Sequence, residues 1–273
     1  MKKITLAIIA FSLCFTACKK SDDPLGDVDL TSSKDNNEMD KVFSGLNNIV
    51  QDAIETEGSG SRINKAFDKC WSSIELSATK DTLTVSFDGS ICLKDGQKRT
   101  GKLIIAFTGP YKTKGTVITS TLENFTIDGK PLEGKKVVEN LGRVDGTNLS
   151  YKVIISDAKL TYDDGSISTW KSDRTRTWTK GESTPLNIWD DIYEIEGTAS
   201  GTNRNNLTYT METPVTTPIV LDMECWATTR LPKSGVISIR PNRLLERSVN
   251  YGNGDCDRSI SISIGNQSYN ITI

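Results

Sequence analysis

Residues 259–264 read Ser259-Ile-Ser-Ile-Ser-Ile264, so every second side chain of this stretch is apolar. Side chains of a β-strand point alternately to the two faces of a sheet, and the three isoleucines therefore share one face. Leu83-Thr-Val-Ser-Phe87 alternates in the same way, and residues 219–227 do so on their odd positions. These stretches predict β-strands.

Turn signals recur at short intervals after about Cys70. Asp-Gly and Gly-Asn pairs are favoured where two antiparallel strands are joined by a tight turn. Such pairs occur at Asp95-Gly96, Asp128-Gly129, Asp164-Gly165 and Gly265-Asn266. The chain is therefore predicted to be mainly β, with a large antiparallel sheet, twisted or sandwiched, rather than a closed barrel.

A helical pattern precedes the strands. From about residue 36 to residue 56, apolar residues recur at spacings of three and four, which predicts an amphipathic helix. Asp35 or Asn36 is predicted to cap its start. The polar face is acidic and amide-rich rather than basic, which argues against a membrane-surface helix and favours packing on the sheet. The predicted apolar stripe consists of Met39, Val42, Phe43, Leu46, Ile49, Val50, Ala53 and Ile54.

The first 18 residues form an export signal. A basic start, Met1-Lys-Lys3, is followed by an apolar run over residues 4–15 that is too short to span a bilayer. The run leads into Phe15-Thr-Ala-Cys18, which resembles the lipobox of bacterial lipoproteins. The resemblance implies cleavage before Cys18 and lipidation of that residue. The alternative is an ordinary signal peptide in which a cysteine falls there by chance.

This signal sets the expected organisation and location. Residues 1–17 are predicted to be a lipoprotein signal peptide, residues 18–33 the lipidated cysteine and a flexible tether, and residues 34–273 a single β-rich domain with the N-terminal helix. Lys19-Lys-Ser-Asp-Asp23 resembles the short acidic export signals of surface lipoproteins in the Bacteroidota. The expected location is the outer membrane through the lipid anchor. Surface display is expected if residues 19–23 act as such a signal, and the alternative is that they are only a solvated charged tether.

The cysteines support an envelope location. Cys14 lies in the predicted signal peptide, Cys18 is the predicted anchor, and an even set of four cysteines remains, which predicts two disulfides outside the cytoplasm. Cys70-Trp71 and Cys225-Trp226 each precede a strand-like stretch that begins with a valine seven residues before another cysteine, Val85 before Cys92 and Val249 before Cys256. This repeat suggests the pairs Cys70–Cys92 and Cys225–Cys256. Four cysteines allow three pairings, and the sequence does not choose among them.

The composition excludes several classes of chemistry. The chain has no histidine, so histidine-dependent catalytic triads and histidine-ligated metal sites are excluded. The net charge of −2 gives no general electrostatic reason to bind nucleic acid. We expect no cofactor, no metal site and no nucleic-acid partner.

The most distinctive stretch is Thr169-Trp-Lys-Ser-Asp-Arg-Thr-Arg-Thr-Trp178. In a strand, Trp170, Arg174, Arg176 and Trp178 share one face. Such a face suits stacking and bidentate hydrogen bonds to a glycan or an anionic polymer, and it is the candidate binding surface. The alternative is a structural ladder, in which the guanidinium groups stack on the indoles and pair with acidic residues of a neighbouring strand.

Acidic residues cluster at Asp190-Asp191, Glu194 and Glu196. Glycosidases use a pair of carboxylates, but Asp191 and Glu194 fall on opposite faces of a regular strand. A role as partners of Arg174, Arg176 or a lysine is favoured, and no catalytic residue is predicted.

Several motifs together resemble a group of uncharacterised outer-membrane lipoproteins of the Bacteroidota. Besides the lipobox they are Val85-Ser-Phe-Asp-Gly89 with Cys92, Asp95-Gly-Gln-Lys-Arg-Thr-Gly101, the stretch from Thr169 to Trp178, Asp190-Asp-Ile-Tyr-Glu-Ile-Glu-Gly197 and Asn250-Tyr-Gly-Asn-Gly-Asp-Cys256. The resemblance implies a location and no activity.

The functional expectation is therefore a non-enzymatic, lipid-anchored binding or adhesion module, with the membrane as one partner and a glycan or an envelope protein as another. The alternative is a structural accessory lipoprotein of an envelope complex, partnering through sheet edges or the helix. A carboxylate-based glycosidase is the third reading and the least favoured.

Overall fold

The computed structural model describes residues 29–58, 70–92, 95–144, 146–184 and 187–272. Within these residues the protein is one large antiparallel sheet with one long helix, α1 (Thr31–Gly58), and the predicted mainly-β class is confirmed. The predicted signal peptide, Cys18 and most of the predicted tether lie outside the described residues. No helix among the described residues is long and apolar enough to cross a membrane.

Fourteen strands form the sheet, with a short 3-10 helix (Ile188–Asp190) before β8 and a short helix, α2 (Met223–Thr229), after β10. The strands are β1 Ser73–Leu76, β2 Thr82–Ile91, β3 Lys98–Phe107, β4 Val117–Ile127, β5 Lys130–Gly142, β6 Leu149–Thr161, β7 Ile167–Lys180, β8 Ile192–Thr202, β9 Thr208–Thr213, β10 Ile219–Asp222, β11 Ser234–Pro241, β12 Arg247–Asn253, β13 Ser259–Ile264 and β14 Gln267–Thr272.

The strand order explains how the sheet surrounds the helix. Strands β1 to β8 pair in sequence, β8 pairs with β10, and β10 to β14 again pair in sequence. Strand β9 lies off this path and pairs with both β8 and β11. Helix α1 contacts β2, β7 and β11, which are far apart in the strand order. The sheet is therefore curved, and α1 lies against its concave face.

The predicted turn signals all lie in connections between neighbouring strands. Asp128 and Gly129 join β4 to β5, and both have positive φ angles, 50° and 82°. Positive φ at both central residues is what a tight hairpin turn with the native strand twist requires. Asp95-Gly96, Asp164-Gly165 and Gly265-Asn266 lie in the β2–β3, β6–β7 and β13–β14 connections. This part of the prediction is confirmed.

Helix α1 is more deeply enclosed than a helix lying on a flat sheet. The predicted apolar stripe is buried from Met39 to Ala53, with Ile54 partly buried, and it forms part of the main core. At Gly134 of β5, where φ is +142°, an added Cβ would lie 3.0 Å from the ring of Phe43 and from the Cα of Ala158. The residue at this position must therefore lack a side chain for the helix and sheet to approach so closely.

The start of the helix differs from the prediction. Helix α1 begins at Thr31, inside the segment predicted to be a tether, and the Asp29 carboxylate accepts a hydrogen bond from the Thr31 amide at 2.7 Å. Asp35 and Asn36 therefore do not cap it. Their side chains are fully buried, and residues distant in sequence supply their hydrogen-bond partners, Trp170 of β7 for Asn36 and Arg204 of the β8–β9 loop for Asp35.

Residues 219–227 also differ from the prediction, because only the first four form a strand, β10. The Asp222 side chain accepts a hydrogen bond from the Cys225 amide at 3.2 Å, which caps the start of α2. An aspartate at this position stabilises a helix N-terminus, and this local effect overrides the alternating pattern.

Two disulfides join Cys70 to Cys92 and Cys225 to Cys256. These are the pairs suggested by the sequence repeat. The first joins the residues just before β1 and just after β2, and the second joins α2 to the segment after β12. Each disulfide thus closes a loop that contains at least one complete strand.

The ion pair between Asp35 and Arg204 fixes the first turn of α1 to the loop between β8 and β9. Asp35 is fully buried and accepts hydrogen bonds from the Arg204 amide at 2.7 Å, from its Nε at 2.8 Å and from the Tyr162 hydroxyl at 3.3 Å. Asp35 is the buried member of this pair and the Arg204 side chain is 35% exposed, and the loss of a hydrogen bond to a charged group costs about 1.5–3 kcal/mol.

We expect Asp35→Ala to lower the free energy of unfolding by about 3 kcal/mol, measured by urea denaturation. The matched control is Glu133→Ala, because the Glu133–Lys159 pair is largely exposed and such pairs contribute less than about 1 kcal/mol. Equal losses in the two variants would contradict the role assigned to Asp35.

Candidate functional site

The tryptophan–arginine face of β7 lies beneath the helix. Burial alternates along β7 as predicted, with Trp170, Arg174, Arg176 and Trp178 on the buried face. These four side chains expose only 2%, 5%, 5% and 5% of their surface. The prediction that they form an open binding surface is therefore wrong. The tryptophans cannot stack on an external glycan, because α1 and neighbouring aromatic side chains cover them.

Polar side chains of α1 hold this face in place. The Trp170 indole N–H donates to Oδ1 of Asn36 at 3.0 Å. The Nη1 of Arg174 donates to both carboxylate oxygens of Asp40, each at 2.8 Å. The Arg174 guanidinium also lies over the Trp170 ring, 5.2 Å from its centroid. The stacking of the predicted ladder is thus present, but the acidic partner comes from the helix rather than from a neighbouring strand.

Strand β8 leaves room for Arg174. Gly197 lies opposite Arg174 in the pairing register and has a φ of +126°. An added Cβ would lie 2.8 Å from the Cα of Arg174 and 2.4 Å from the carbonyl oxygen of Asp173. A side chain at position 197 would therefore displace β7 at the residue that binds the helix.

Arg176 lies among aromatic rings. Its guanidinium is 4.6 Å from the ring centroid of Tyr193 and 5.6 Å from that of Tyr151, and its Nη2 donates to the Tyr111 hydroxyl. Tyr111 stacks on Tyr151 with centroids 4.7 Å apart. Among the described residues, no carboxylate lies within ion-pair distance of Arg176. Its charge is therefore stabilised by π faces and one hydroxyl rather than by an anion.

A third buried basic side chain comes from β5. Lys136 exposes 6% of its surface, and its Nζ donates to the carbonyl oxygen of Phe43 at 3.1 Å and to Oδ1 of Asn47 at 3.3 Å. Burial lowers the pKa of Lys136 well below its ordinary value, the positive charge of Arg176 lowers it further, and the Asp40 carboxylate acts in the opposite direction.

These groups line one cavity of about 40 Å³ between α1 and the concave face, which we call the basic cavity. This volume exceeds the roughly 10–15 Å³ that one water molecule requires. Ser44 and Asn48 of α1 also line the cavity and are partly exposed. Its polar lining includes Asp40, Asn47, Lys136, Ser172, Arg174 and Arg176.

Several polar atoms at the basic cavity have no hydrogen-bond partner among the described residues. They are Nε and Nη2 of Arg174, Nε of Arg176 and the hydroxyl oxygen of Ser172. A buried donor without an acceptor costs about 1–3 kcal/mol, and more when the group is charged. The lining therefore presents donors for oxygen atoms that the described part of the chain does not supply.

The acidic cluster does not form a catalytic pair. Asp191 is buried and lies just before β8, whereas Glu194 is an exposed residue of β8. The expectation that these carboxylates pair with Arg174 or Arg176 is wrong, because both arginines point to the concave face and Arg174 pairs with Asp40. Glu194 and Glu196 form no ion pair among the described residues.

Asp191 instead anchors aromatic side chains beside Arg176. Its Oδ1 accepts from the Trp178 indole N–H at 3.0 Å, and its Oδ2 accepts from the Tyr193 hydroxyl at 2.9 Å. Burial raises the pKa of Asp191 to about 6, although the hydrogen bonds from Tyr193 and Trp178 act in the opposite direction. The Asp191 carboxyl therefore loses its proton closer to neutral pH than an ordinary aspartate does.

Sequence reasoning missed Asp40, Asn47 and Lys136 as members of the site. Their partners are 89 to 134 residues away, so no local motif joins them. One signal was available for Lys136. It falls on the same side of its strand as the buried Leu132 and Val138, and a lysine at a core-facing position stands out from that pattern.

No cluster of three or more metal-ligating side chains occurs among the described residues. The chain matches no protein-family model, no curated protein and no solved structure.

Asp191 gives a pH-dependent prediction. Because its folded pKa of about 6 lies above its ordinary value of 3.8, the folded state binds the extra proton between these two pH values. Its contribution to stability is therefore present below pH 3.8 and is lost as the pH rises through 6. Asp191→Asn lacks this titration. The free energy of unfolding of the variant minus that of the wild type should rise between pH 4 and pH 7, measured by urea denaturation. A constant difference would contradict the assigned pKa.

Proposed function

We propose that this chain is a lipid-anchored envelope protein whose β domain binds a small anionic ligand in the basic cavity. The observation that carries the proposal is the charge of the lining. Arg174 and Arg176 are each at least nine-tenths buried, and among the described lining residues Asp40 supplies one carboxylate against these two guanidinium groups.

The energetics favour an anion. Removing a charged group from water costs several kcal/mol unless an opposite charge or a full set of hydrogen bonds compensates. Arg174 shares Asp40 through only one of its nitrogens, and Arg176 has the hydroxyl of Tyr111 and aromatic faces. A carboxylate or phosphate oxygen would accept from the remaining N–H groups in charge-assisted hydrogen bonds, which are stronger than neutral ones.

The geometry favours a small group rather than a polymer. Arg174 and Arg176 are two residues apart on one face of β7, so their Cα atoms are about 7 Å apart. The cavity of about 40 Å³ is bounded by α1, so it suits the charged end of a small molecule and not a flat polysaccharide chain. The structure therefore supports binding of an anion by this domain, and it does not support stacking of a glycan on the tryptophans.

The envelope location is supported by the sequence and by the disulfides. The chain begins with a basic segment, an apolar run and a lipobox-like tetrapeptide that ends at Cys18. The two disulfides are consistent with an oxidising compartment. The resemblance to outer-membrane lipoproteins of the Bacteroidota points to the same place.

Anion binding is tested by thermal melting in sodium acetate and in sodium phosphate, with sodium chloride at matched ionic strength as the reference. A ligand at about 100 times its Kd stabilises the folded state by about 2.7 kcal/mol, so Tm should rise with one of the two anions. Arg176→Gln should abolish the increase.

Arg240→Gln is the matched control for that experiment, because it removes one positive charge from an arginine that is half exposed on the surface. This variant should keep the anion-dependent increase in Tm. If neither anion changes Tm, or if the two variants respond alike, the proposed site is wrong. A structural accessory lipoprotein would give the first of these results.

Lipid anchoring is tested by Cys18→Ser. When both proteins are expressed with the signal peptide in a Gram-negative host, the wild type should partition into the detergent phase of a Triton X-114 extract and the variant into the aqueous phase. Acyl chains supply the membrane affinity, and their loss removes it. Aqueous partition of the wild type would refute the anchor.

A further inference from the structure

Lys136 is placed differently from the other lysines whose contacts the structure describes. It points inward from the middle of β5, where it lies opposite Ser120 of β4 and Ile155 of β6. Its side chain ends in the basic cavity, and 6% of its surface is exposed. By comparison, the side chains of Lys102 and Lys159 are 49% and 39% exposed, and each pairs with a glutamate.

The hydrogen bonds of Lys136 suit a neutral amine. An ammonium group has three N–H donors, whereas a neutral amine has two N–H donors and one lone pair. The Nζ of Lys136 makes two hydrogen bonds, to the carbonyl oxygen of Phe43 and to Oδ1 of Asn47, and both acceptors are uncharged. Among the described residues, no carboxylate lies within ion-pair distance of its Nζ.

The charged neighbours of Lys136 act on its pKa in both directions. The other charged or titratable side chains that line the cavity are Asp40 of α1, Arg174 and Arg176 of β7 and Tyr193 of β8. Burial and Arg176 lower the pKa of Lys136, and Asp40 opposes them. With Lys136 neutral, the lining carries two positive charges and one negative charge. One ligand with a single negative charge therefore makes the net charge of the cavity zero.

We propose that Lys136 is a carbonyl-reactive lysine that forms a reversible imine with a small aldehyde or ketone bearing a carboxylate, such as a 2-oxo acid. This inference rests on the proposed function, because Arg174 and Arg176 bind the carboxylate and thereby hold the carbonyl group near the amine. Desolvated lysines next to other cations are the ones that proteins use for such chemistry.

The reaction is a condensation without a net redox change. The Nζ lone pair of Lys136 adds to the carbonyl carbon and gives a carbinolamine. The carbonyl oxygen then leaves as water, which takes both hydrogen atoms of the amine, and a carbon–nitrogen double bond remains. Addition of water reverses the sequence, so the adduct is a reversible form of binding.

The size of the cavity selects the ligand. The basic cavity, of about 40 Å³, has room for a group of two or three carbon atoms. A carboxylate and a carbonyl on adjacent carbon atoms form such a group. Glyoxylate is the smallest such compound. Acetaldehyde offers a carbonyl of similar size without the charge, which makes it the matched control ligand.

The test is reductive trapping in the folded, full-length chain. The protein is incubated with glyoxylate and sodium cyanoborohydride at pH 7, and the carboxymethylated lysines are mapped by peptide mass spectrometry. Labelling of Lys136 should exceed that of Lys102 by roughly tenfold or more, because Arg174 and Arg176 hold the glyoxylate carboxylate beside Lys136, whereas the side chain of Lys102 is 49% exposed and pairs with Glu123.

Two comparisons show whether the arginines direct the reaction. An excess of acetate should suppress labelling of Lys136 by glyoxylate and leave Lys102 unchanged. Arg176→Gln should lower labelling of Lys136 by glyoxylate roughly tenfold, the loss expected for one charge-assisted hydrogen bond. Labelling of Lys136 by acetaldehyde in that variant should fall less than labelling by glyoxylate, because acetaldehyde has no carboxylate for Arg176 to bind, and the labelling that remains reports that the fold is intact.

The outcomes separate the two proposals. If acetate raises Tm but glyoxylate labels Lys136 no better than Lys102, the carbonyl-reactive lysine is overturned and the anion site stands. If Lys136 is labelled equally well by glyoxylate and acetaldehyde and acetate has no effect on Tm, the reactive amine stands without its anion site, and the substrate class proposed here is overturned.

Discussion

Helix α1 lies inside the curve of the sheet, and this placement obliges its polar side chains to find partners there. On a flat sheet the polar side of the helix would face water. Here four polar side chains of the helix face strands and loops and form hydrogen bonds with them. The pairs are Asp35 with Arg204, Asn36 with Trp170, Asn37 with Tyr251 and Asp40 with Arg174. Because unpaired buried polar groups are costly, these pairs fix the register of the helix against the sheet.

The basic cavity follows from the same constraint. An inner face that must satisfy a polar helix carries polar and charged residues itself, and on β7 these are Ser172, Arg174 and Arg176. The pairs do not satisfy every donor, since Arg174 uses one nitrogen on Asp40 and Arg176 relies on tyrosine rings. The helix–sheet interface therefore has more hydrogen-bond donors than acceptors, which is why we expect an anion as the ligand. Lys136 also has no carboxylate partner among the described residues.

Local sequence patterns predicted much of the fold. Alternation located strands such as β2, β7 and β13, the Asp-Gly and Gly-Asn pairs located turns, and the sequence repeat suggested both disulfides. These features depend on neighbours within a few residues, or on repeated spacing, which a single sequence displays. The alternation on residues 219–227 misled because the cap at Asp222 outweighs it and begins a helix.

The candidate site was harder to predict, because its residues meet only in three dimensions. The alternation of β7 places Trp170 and Arg174 on one face, but it does not say whether that face is covered. Arginines usually lie on an exposed face of a strand. Here Arg174 is buried because it pairs with Asp40, which is 134 residues away in the sequence. For the same reason Lys136 could not be linked to Asn47 or to the arginines from the sequence.

Anion binding in the basic cavity is tested most directly by soaking crystals of the protein in selenate and locating the selenium by anomalous diffraction. Selenate has the charge and shape of sulfate, and its selenium is identified without reference to the protein structure. If the basic cavity binds anions, an anomalous peak will lie in it, with selenate oxygens within hydrogen-bond distance of Arg174 and Arg176. Selenium found only at surface lysines, with no peak between α1 and β7, would contradict it.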